Sequence, residues 1–461
     1  MLSSEKITDF SYSRNSECLH FIASSTYKPF IEQIESCIVK SDPDCGNGKA
    51  LKELVLLDAG FAVEQLIPAT VRSAHGIFFT EEKLASRIAS LMRAEIASEA
   101  SFFDPACGAG NLLLAIAKDY PLRKSLLETL RFWAKKFGGC DLNENFILAT
   151  KLRLIGLAAY RHGVGAVARK TLNVFLSYFN LFKVCNYLDA GQSSEFDCVV
   201  ANPPFGHVVL SEPLSWSSGK TQQAAVFMAR ILEQARPGQK VTAILPDVLR
   251  SGTRYSRWRS LIELGGENIT VEVHGKFSKA VDVDVFFITF TLPEFSRDSA
   301  KANFDIWRNP TGCLSAGKVR LGDKFTVRVG PVVPHRLSGS GMVVPYLSTG
   351  NATPFGTVVE FGQVRFSGTL YEPPFVLVRR TSNPSDKKRI VTTLVIGERP
   401  VAIENHLVIL KPKGGGVEQC EALIEALNNQ GVYEQLNQAI RCRHLTVSSL
   451  ANLHLTEVTH E

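Results

Sequence analysis

Apolar positions recur at helical spacing over residues 32–39 and 51–66, which predicts a mainly helical prefix across the first 70 residues. The texture then changes. Short apolar runs of strand length at 102–103, 198–201 and 240–245, with 137–141 ending in an acid, alternate with the apolar stretch 111–118 and the amphipathic stretch 221–235. That alternation predicts an α/β fold built on a doubly wound, Rossmann-like sheet. The runs 269–273 and 283–292 are separated by too few residues for a helical crossover, so they are expected to pair antiparallel. After Pro293 the pattern breaks into short β-rich runs, such as 375–379 and 406–410, set between Gly and Pro turns, and a helix is predicted over 418–440.

At 461 residues with 45% hydrophobic content, the chain supports two domains with substantial cores. No stretch approaches about 18 consecutive apolar residues and the start of the chain lacks a basic, then apolar, leader, so a cytoplasmic protein with no membrane partner is expected. None of the ten cysteines stands in C-x-x-C spacing with another, so buried reduced thiols, and neither disulfides nor a metal site, are expected. The charge is uneven. Residues 1–300 hold 33 Lys and Arg against 32 Asp and Glu, whereas residues 301–400 hold 14 against 6. A basic surplus beside Tyr346, Phe355, Tyr371 and Phe375 fits a surface that grips a phosphate backbone.

The apolar run 198–201 is followed by Asn202, Pro203, Pro204 and Phe205. Alone, two prolines after a strand are turn punctuation. As chemistry, the quartet suits a planar, weakly nucleophilic amino group. Such a nitrogen has its lone pair delocalised into a ring and must be held by fixed acceptors. Asn202 offers its side-chain oxygen and Pro203 its backbone carbonyl, while Pro204 has no N–H to compete and forces an extended residue before it. Phe205 offers a flat face on which a ring can stack.

About a hundred residues upstream, Phe102 and Phe103 lead into Asp104, Pro105, Ala106, Cys107, Gly108, Ala109 and Gly110 ahead of the apolar stretch. A strand, a Gly-rich turn and a helix in that order form a nucleotide-type site with free backbone N–H groups. Leu113 stands where a dinucleotide site has its third glycine, and Asp104 would face a pyrophosphate, so the ligand is read as one carrying an ammonium and a sulfonium, S-adenosylmethionine. Asp141, at the end of the next strand-like segment, stands where such sheets hold ribose hydroxyls.

Taken together these residues resemble the N6-adenine DNA methyltransferases of the gamma arrangement, which includes TaqI-type enzymes and type I modification subunits. Asp104 to Gly110 resembles the family's D-P-x-C-G-S-G motif with Ala109 for Ser, and Asn202 to Phe205 its N-P-P-Y/F motif. Gly76, Ile77, Phe78, Phe79 and Thr80 resemble the F-x-T-P cofactor segment, with Glu81 in place of Pro. The resemblance covers residues 70–295 and implies a sheet with a reversed last strand. It implies cofactor contacts at Phe79, Thr80, Asp104, Ala106, Cys107, Gly108, Gly110 and Asp141, and catalysis by Asn202, Pro203, Pro204 and Phe205. It also implies that Asn186, with Tyr187 as an apolar wall, bonds the cofactor adenine, with Asp189 competing for that role. Phe277 is the implied second stacking face for a flipped target base.

The implied organisation is a helical extension over 1–70, a catalytic domain over 71–296 and a smaller, mixed β-rich DNA target-recognition domain over 297–461. Lys220, Arg379, Arg380, Lys387, Lys388 and Arg389 are the candidate contacts to double-stranded DNA, with Arg250, Arg254, Arg257 and Arg259 as an alternative track. The expected function is site-specific adenine-N6 methylation, as an orphan enzyme or beside a restriction endonuclease or specificity subunit. The same catalytic loop also serves methylation of RNA bases and of protein glutamine, and an idle DNA-binding subunit is the non-enzymatic alternative.

Overall fold

The computed structural model describes residues 15–39, 80–190, 193–278, 281–294, 305–308, 318–337, 339–384 and 386–456. The predicted helix at 51–66 and the motif residues 76–79, Phe79 among them, lie outside these. The chain divides into two compact units, Met1–Leu249 with Tyr255–Asn303, and Arg250–Arg254 with Phe304–Glu461.

The first unit is built on seven strands: β1 (Phe102–Asp104), β2 (Phe137–Asp141), β3 (Phe182–Val184), β4 (Cys198–Ala201), β5 (Lys240–Pro246), β6 (Glu267–Lys276) and β7 (Asp284–Thr291). Their order is β3-β2-β1-β4-β5-β7-β6. The first five run parallel, and every residue of β1 and β4 is buried, as expected of parallel strands covered on both faces. β7 is antiparallel to both β5 and β6, so the doubly wound sheet with a reversed strand, expected from the short connection between the last two runs, is present. Because β2 and β4 lie on opposite sides of β1, the chain changes direction across the sheet there, and the crevice at the carboxyl ends of these strands is where such sheets bind ligands.

Helix α1 (Asn15–Val39) does not stand apart as an extension. Tyr27, Phe30, Ile31, Ile34 and Ile38, spaced to fall on one helical face, are buried in the same core as the sheet. Tyr27 packs edge-on against Phe146 with ring centroids 4.9 Å apart. The predicted helix at 221–235 begins later than expected, because Lys220–Gln222 pairs as a strand with His207–Val209 before α5 (Gln223–Gln234) starts. The helices α2 (Glu82–Leu91), α3 (Asn111–Ala117) and α4 (Glu144–Arg161) complete the surroundings of the site.

The second unit carries a five-stranded and a three-stranded sheet, the β-rich texture expected after Pro293. In the larger, Phe375–Arg379 lies between Leu407–Pro412 and Thr392–Val395. The single helix expected at 418–440 is two, Val417–Leu427 and Gln430–Ala439. The break falls at two consecutive asparagines, where Asn429 accepts a bond from the Gly431 N–H at 2.8 Å and so caps the second helix. Among the described residues no helix is long and apolar enough to cross a membrane.

Candidate active site

The loop 104–110 leaves β1 and turns into α3 at Gly110, which has φ +84°. A side chain at Gly110 would also meet Thr150, whose Cγ2 would lie 2.8 Å from an added Cβ. The loop is braced from below. Thr150 donates its hydroxyl to the Gly108 carbonyl at 2.9 Å, and the buried Arg153 guanidinium bonds the Ala109 carbonyl at 2.5 Å and Asn111 Oδ1 at 2.6 Å. Neither Thr150 nor Arg153 was legible as a site residue, because in sequence both lie inside the mainly apolar, largely buried stretch of α4.

Asp104 is 2% exposed, and its Oδ1 accepts the Ala106 N–H at 3.0 Å. Burial pushes this carboxyl up to about 8, with the bond from Ala106 opposing the shift and the Asp141 charge adding to it. Among the described residues no Lys or Arg lies in an ion pair with Asp104. Cys107 is buried, its thiol also pushed well up by burial, and its N–H bonds the Cys140 carbonyl at 3.0 Å. Asp141 accepts from the Gly108 N–H at 3.0 Å and from the Asn143 N–H at 2.9 Å, so it ties the loop to β2.

Asn202 follows β4 directly. Its amide Nδ2 donates to Oγ1 of the buried Thr80 at 2.8 Å, and the Thr80 carbonyl accepts from Asn111 Nδ2 at 2.7 Å. Thr80 therefore links the Asn202 loop to the start of α3. With Nδ2 engaged, Asn202 Oδ1 is a buried acceptor with no hydrogen-bond partner among the described residues. An unmet buried acceptor costs about 1–3 kcal/mol, so it marks a place where a donor is to arrive.

Phe205 is 8% exposed and Phe277 2% exposed. Their rings meet edge to face with centroids 5.2 Å apart at 83°. Two faces that sandwich a third ring must stand about 7 Å apart, the two ring separations of a stack, so this pair holds no base between its members. In this arrangement Phe277 packs as a buttress behind Phe205.

Asn186 and Asp189, the competitors for one role, are bonded to each other, Asn186 Nδ2 to Asp189 Oδ2 at 2.9 Å. Tyr187 is buried, its ring against Phe103 and Phe227 and its hydroxyl paired with Ser193 at 2.8 Å. It anchors this turn in the core and its ring has no open face to serve as a wall.

The basic candidates divide sharply. Lys220, Lys387 and Lys388 are exposed. Arg389 is corrected: it is fully buried and its guanidinium bonds Asn437 Oδ1 and the carbonyls of Ile440 and Cys442, so it reaches no DNA. Arg379 and Arg380 are half-buried and brace loops, through the carbonyls of Thr349 at 3.1 Å and Asn405 at 3.4 Å. On the alternative track Arg250 and Arg259 are buried, leaving Arg254 and Arg257 exposed.

Residues 61–262 match the family model of N-6 DNA methylases. No curated protein matches the chain in sequence. Among solved structures, the type IIL restriction-modification enzyme MmeI in complex with DNA is 13% identical with a TM-score of 0.49, the match covering 85% of this chain and 70% of that one. The M protein of the type I restriction enzyme EcoKI is 16% identical with a TM-score of 0.34, covering 61% of this chain and 63% of that one. The type IIG restriction endonuclease BpuSI is 14% identical with a TM-score of 0.41, covering 89% of this chain but only 61%, less than two thirds, of its own length. The matched segment, 61–262, is similar to the N-6 DNA methylases and contains the Thr80, Asp104 and Asn202 motifs in that order.

Proposed function

We propose that the chain methylates the N6 amino group of adenine in double-stranded DNA, with S-adenosylmethionine as donor. The observation that carries this reading is the buried, partnerless Oδ1 of Asn202, fixed by the bond from its own amide to Thr80. An adenine amino group brings N–H donors to such an acceptor. As a methyl group is added, positive charge grows on that nitrogen, and an oriented carbonyl dipole binds the charged state more strongly than the neutral one. Pro203 would supply the second acceptor through its carbonyl. Phe205, buttressed by Phe277, would present a face to the ring.

The residues at the head of β1 and β2 fit the donor. The cationic methionine portion would meet Asp104 and favour the ionised form of that buried carboxyl, and Asp141, at the end of β2, would stand beside the ribose hydroxyls. Asn186 and Asp189 together would border the adenine of the cofactor. When bound, S-adenosylmethionine supplies the electrophilic methyl group. A target base paired within a duplex cannot reach Asn202, so the base would be rotated out of the stack, at a cost of roughly a few kcal/mol. DNA as the substrate class rests on the family of residues 61–262 and on the basic surplus over 301–400. Pairing with a restriction endonuclease or a specificity subunit is part of the same reading.

Incubation with methyl-labelled cofactor and, separately, unmethylated genomic DNA, total RNA and protein extract tests it. Label in N6-methyladenine of the DNA is expected. Label only in RNA or in protein glutamine would reassign the substrate, and none anywhere would leave a DNA-binding subunit.

A further inference from the structure

The second unit places a large apolar ring where neither packing nor backbone chemistry asks for one. Residues Thr353, Pro354, Phe355 and Gly356 form a turn closed by the Gly356 N–H on the Thr353 carbonyl at 3.3 Å. Proline fits the second position of a type II turn, and the third position needs positive φ and so favours Gly or Asn. Here that position is Phe355, with φ +56°. Its side chain is 49% exposed, so burial does not offset the backbone penalty.

The turn is nonetheless held firmly. The Phe355 N–H bonds the Thr392 carbonyl at 2.7 Å, the Gly356 carbonyl accepts from Leu394 at 2.9 Å, and Thr393 Oγ1 donates to the Thr353 carbonyl at 2.7 Å. All three anchors belong to the strand Thr392–Val395 of the five-stranded sheet. A rigid scaffold thus presents an exposed ring on a strained turn. The exposed Lys388 lies alongside it, its Nζ 5.1 Å from the Phe355 ring centroid, and Lys387, its neighbour in sequence, is also exposed. These belong to the stretch 301–400, where Lys and Arg outnumber Asp and Glu by 14 to 6.

We propose that Phe355 is a base-stacking contact of the C-terminal unit on duplex DNA, with Lys387 and Lys388 binding phosphates beside it. An aromatic face beside cations suits a base next to its own backbone, because the ring takes the π-face of the base while the ammonium groups take the phosphate charge. This rests on the reading of the chain as a DNA methyltransferase.

The test uses the full chain with unmethylated genomic DNA as methyl acceptor, comparing Phe355→Ala, Phe355→Gly and Phe355→Trp. Loss of a stacked ring is expected to raise the KM for DNA by roughly 5- to 150-fold in the Ala and Gly variants, with kcat at saturation unchanged and Trp close to wild type. Phe355→Gly is the sharper variant, since glycine suits this backbone: its melting temperature should equal or exceed that of wild type while its KM rises, a combination a merely structural residue does not give. The salt dependence of DNA binding should stay as in wild type for Phe355→Gly and flatten for Lys388→Ala. Wild-type activity on DNA with an unaltered KM in Phe355→Gly would overturn the stacking role and assign the ring to a protein partner. A wild-type protein that methylates no DNA would instead refute the underlying reading, and this one with it.

Discussion

The amide nitrogen of Asn202 donates to the hydroxyl of Thr80 at 2.8 Å across 122 residues of sequence, and this bond engages the amide end of the Asn202 side chain and leaves Oδ1 as the end turned away from Thr80. If the amide were free to turn, its N–H2 could present donors where an acceptor is needed. Thr80→Val keeps the shape and removes the acceptor. It should lower kcat by about tenfold or more while leaving the cofactor Kd within a few fold, and Thr80→Ser should restore the rate. Steady-state kinetics beside calorimetric cofactor titration separate the two. A loss confined to cofactor affinity would place Thr80 with the cofactor alone.

Asp104 sets a pH dependence of known sign. Its folded-state pKa, pushed up to about 8 chiefly by burial, lies above the ordinary carboxyl value near 3.9 that the unfolded chain would show. The stability this group contributes is therefore full below about pH 4 and is lost as pH rises towards about 8. Asp104→Asn removes the slope, so the ligand-free variant should gain on wild type over that window, seen as a growing difference in melting temperature. A bound cation reverses the preference. Cofactor binding to wild type near pH 7 should release protons, measurable by calorimetry in buffers of different ionisation enthalpy, and the Asn variant should release fewer and bind more weakly. Equal proton release by both proteins would contradict a charge contact at Asp104.

Phe205 and Phe277 should respond differently, because one faces the substrate and the other supports it. Phe205→Ala should lose about 1–3 kcal/mol of stacking, read as quenching lost from a fluorescent adenine analogue at the target position, and Phe205→Tyr should retain it. Phe277→Leu, which keeps a buttress of similar bulk, should lower the melting temperature with only a small change in that fluorescence. The reverse pattern would restore Phe277 as the stacking face.

Arg389 and the neighbouring lysines give opposite expectations despite adjacency in sequence. Arg389→Met leaves Asn437 and two carbonyls without their cationic donor and should destabilise the second unit by at least about 3 kcal/mol. Charge reversal at Lys387 and Lys388 should leave thermal stability nearly unchanged, weaken DNA binding for all sequences alike and flatten its salt dependence. Thermal melts and anisotropy titrations at several salt concentrations distinguish the two.

Strands β1 and β4 were legible because they are buried on both faces and read as uninterrupted apolar runs, as at 198–201, whereas the edge strand β3, with Lys183 and Val184 exposed, gives no such run. The reversed strand followed from a connection too short for a crossover. The loops at Asp104 and Asn202 were legible because their chemistry is concentrated in consecutive residues. What brings distant residues together was not. Thr150 and Arg153 sit in a helix whose pattern gives no sign that two polar groups turn inward, and the orientation of Asn202 depends on a hydroxyl 122 residues away. In the second unit, a count of basic residues cannot separate Arg389, buried on backbone carbonyls, from the exposed lysines beside it. The break at Asn428 and Asn429 was hidden by apolar positions that keep helical spacing on both sides.

In the proposed reaction Asn202 Oδ1 accepts from the amino group being methylated. The most direct measurement is single-turnover transfer of labelled methyl from saturating S-adenosylmethionine to duplex DNA by Asn202→Ala, with cofactor affinity measured on the same sample. The account predicts a rate lower by roughly 10²- to 10³-fold with a cofactor Kd close to that of wild type. A wild-type rate at saturation, with the loss appearing only in cofactor affinity, would contradict it.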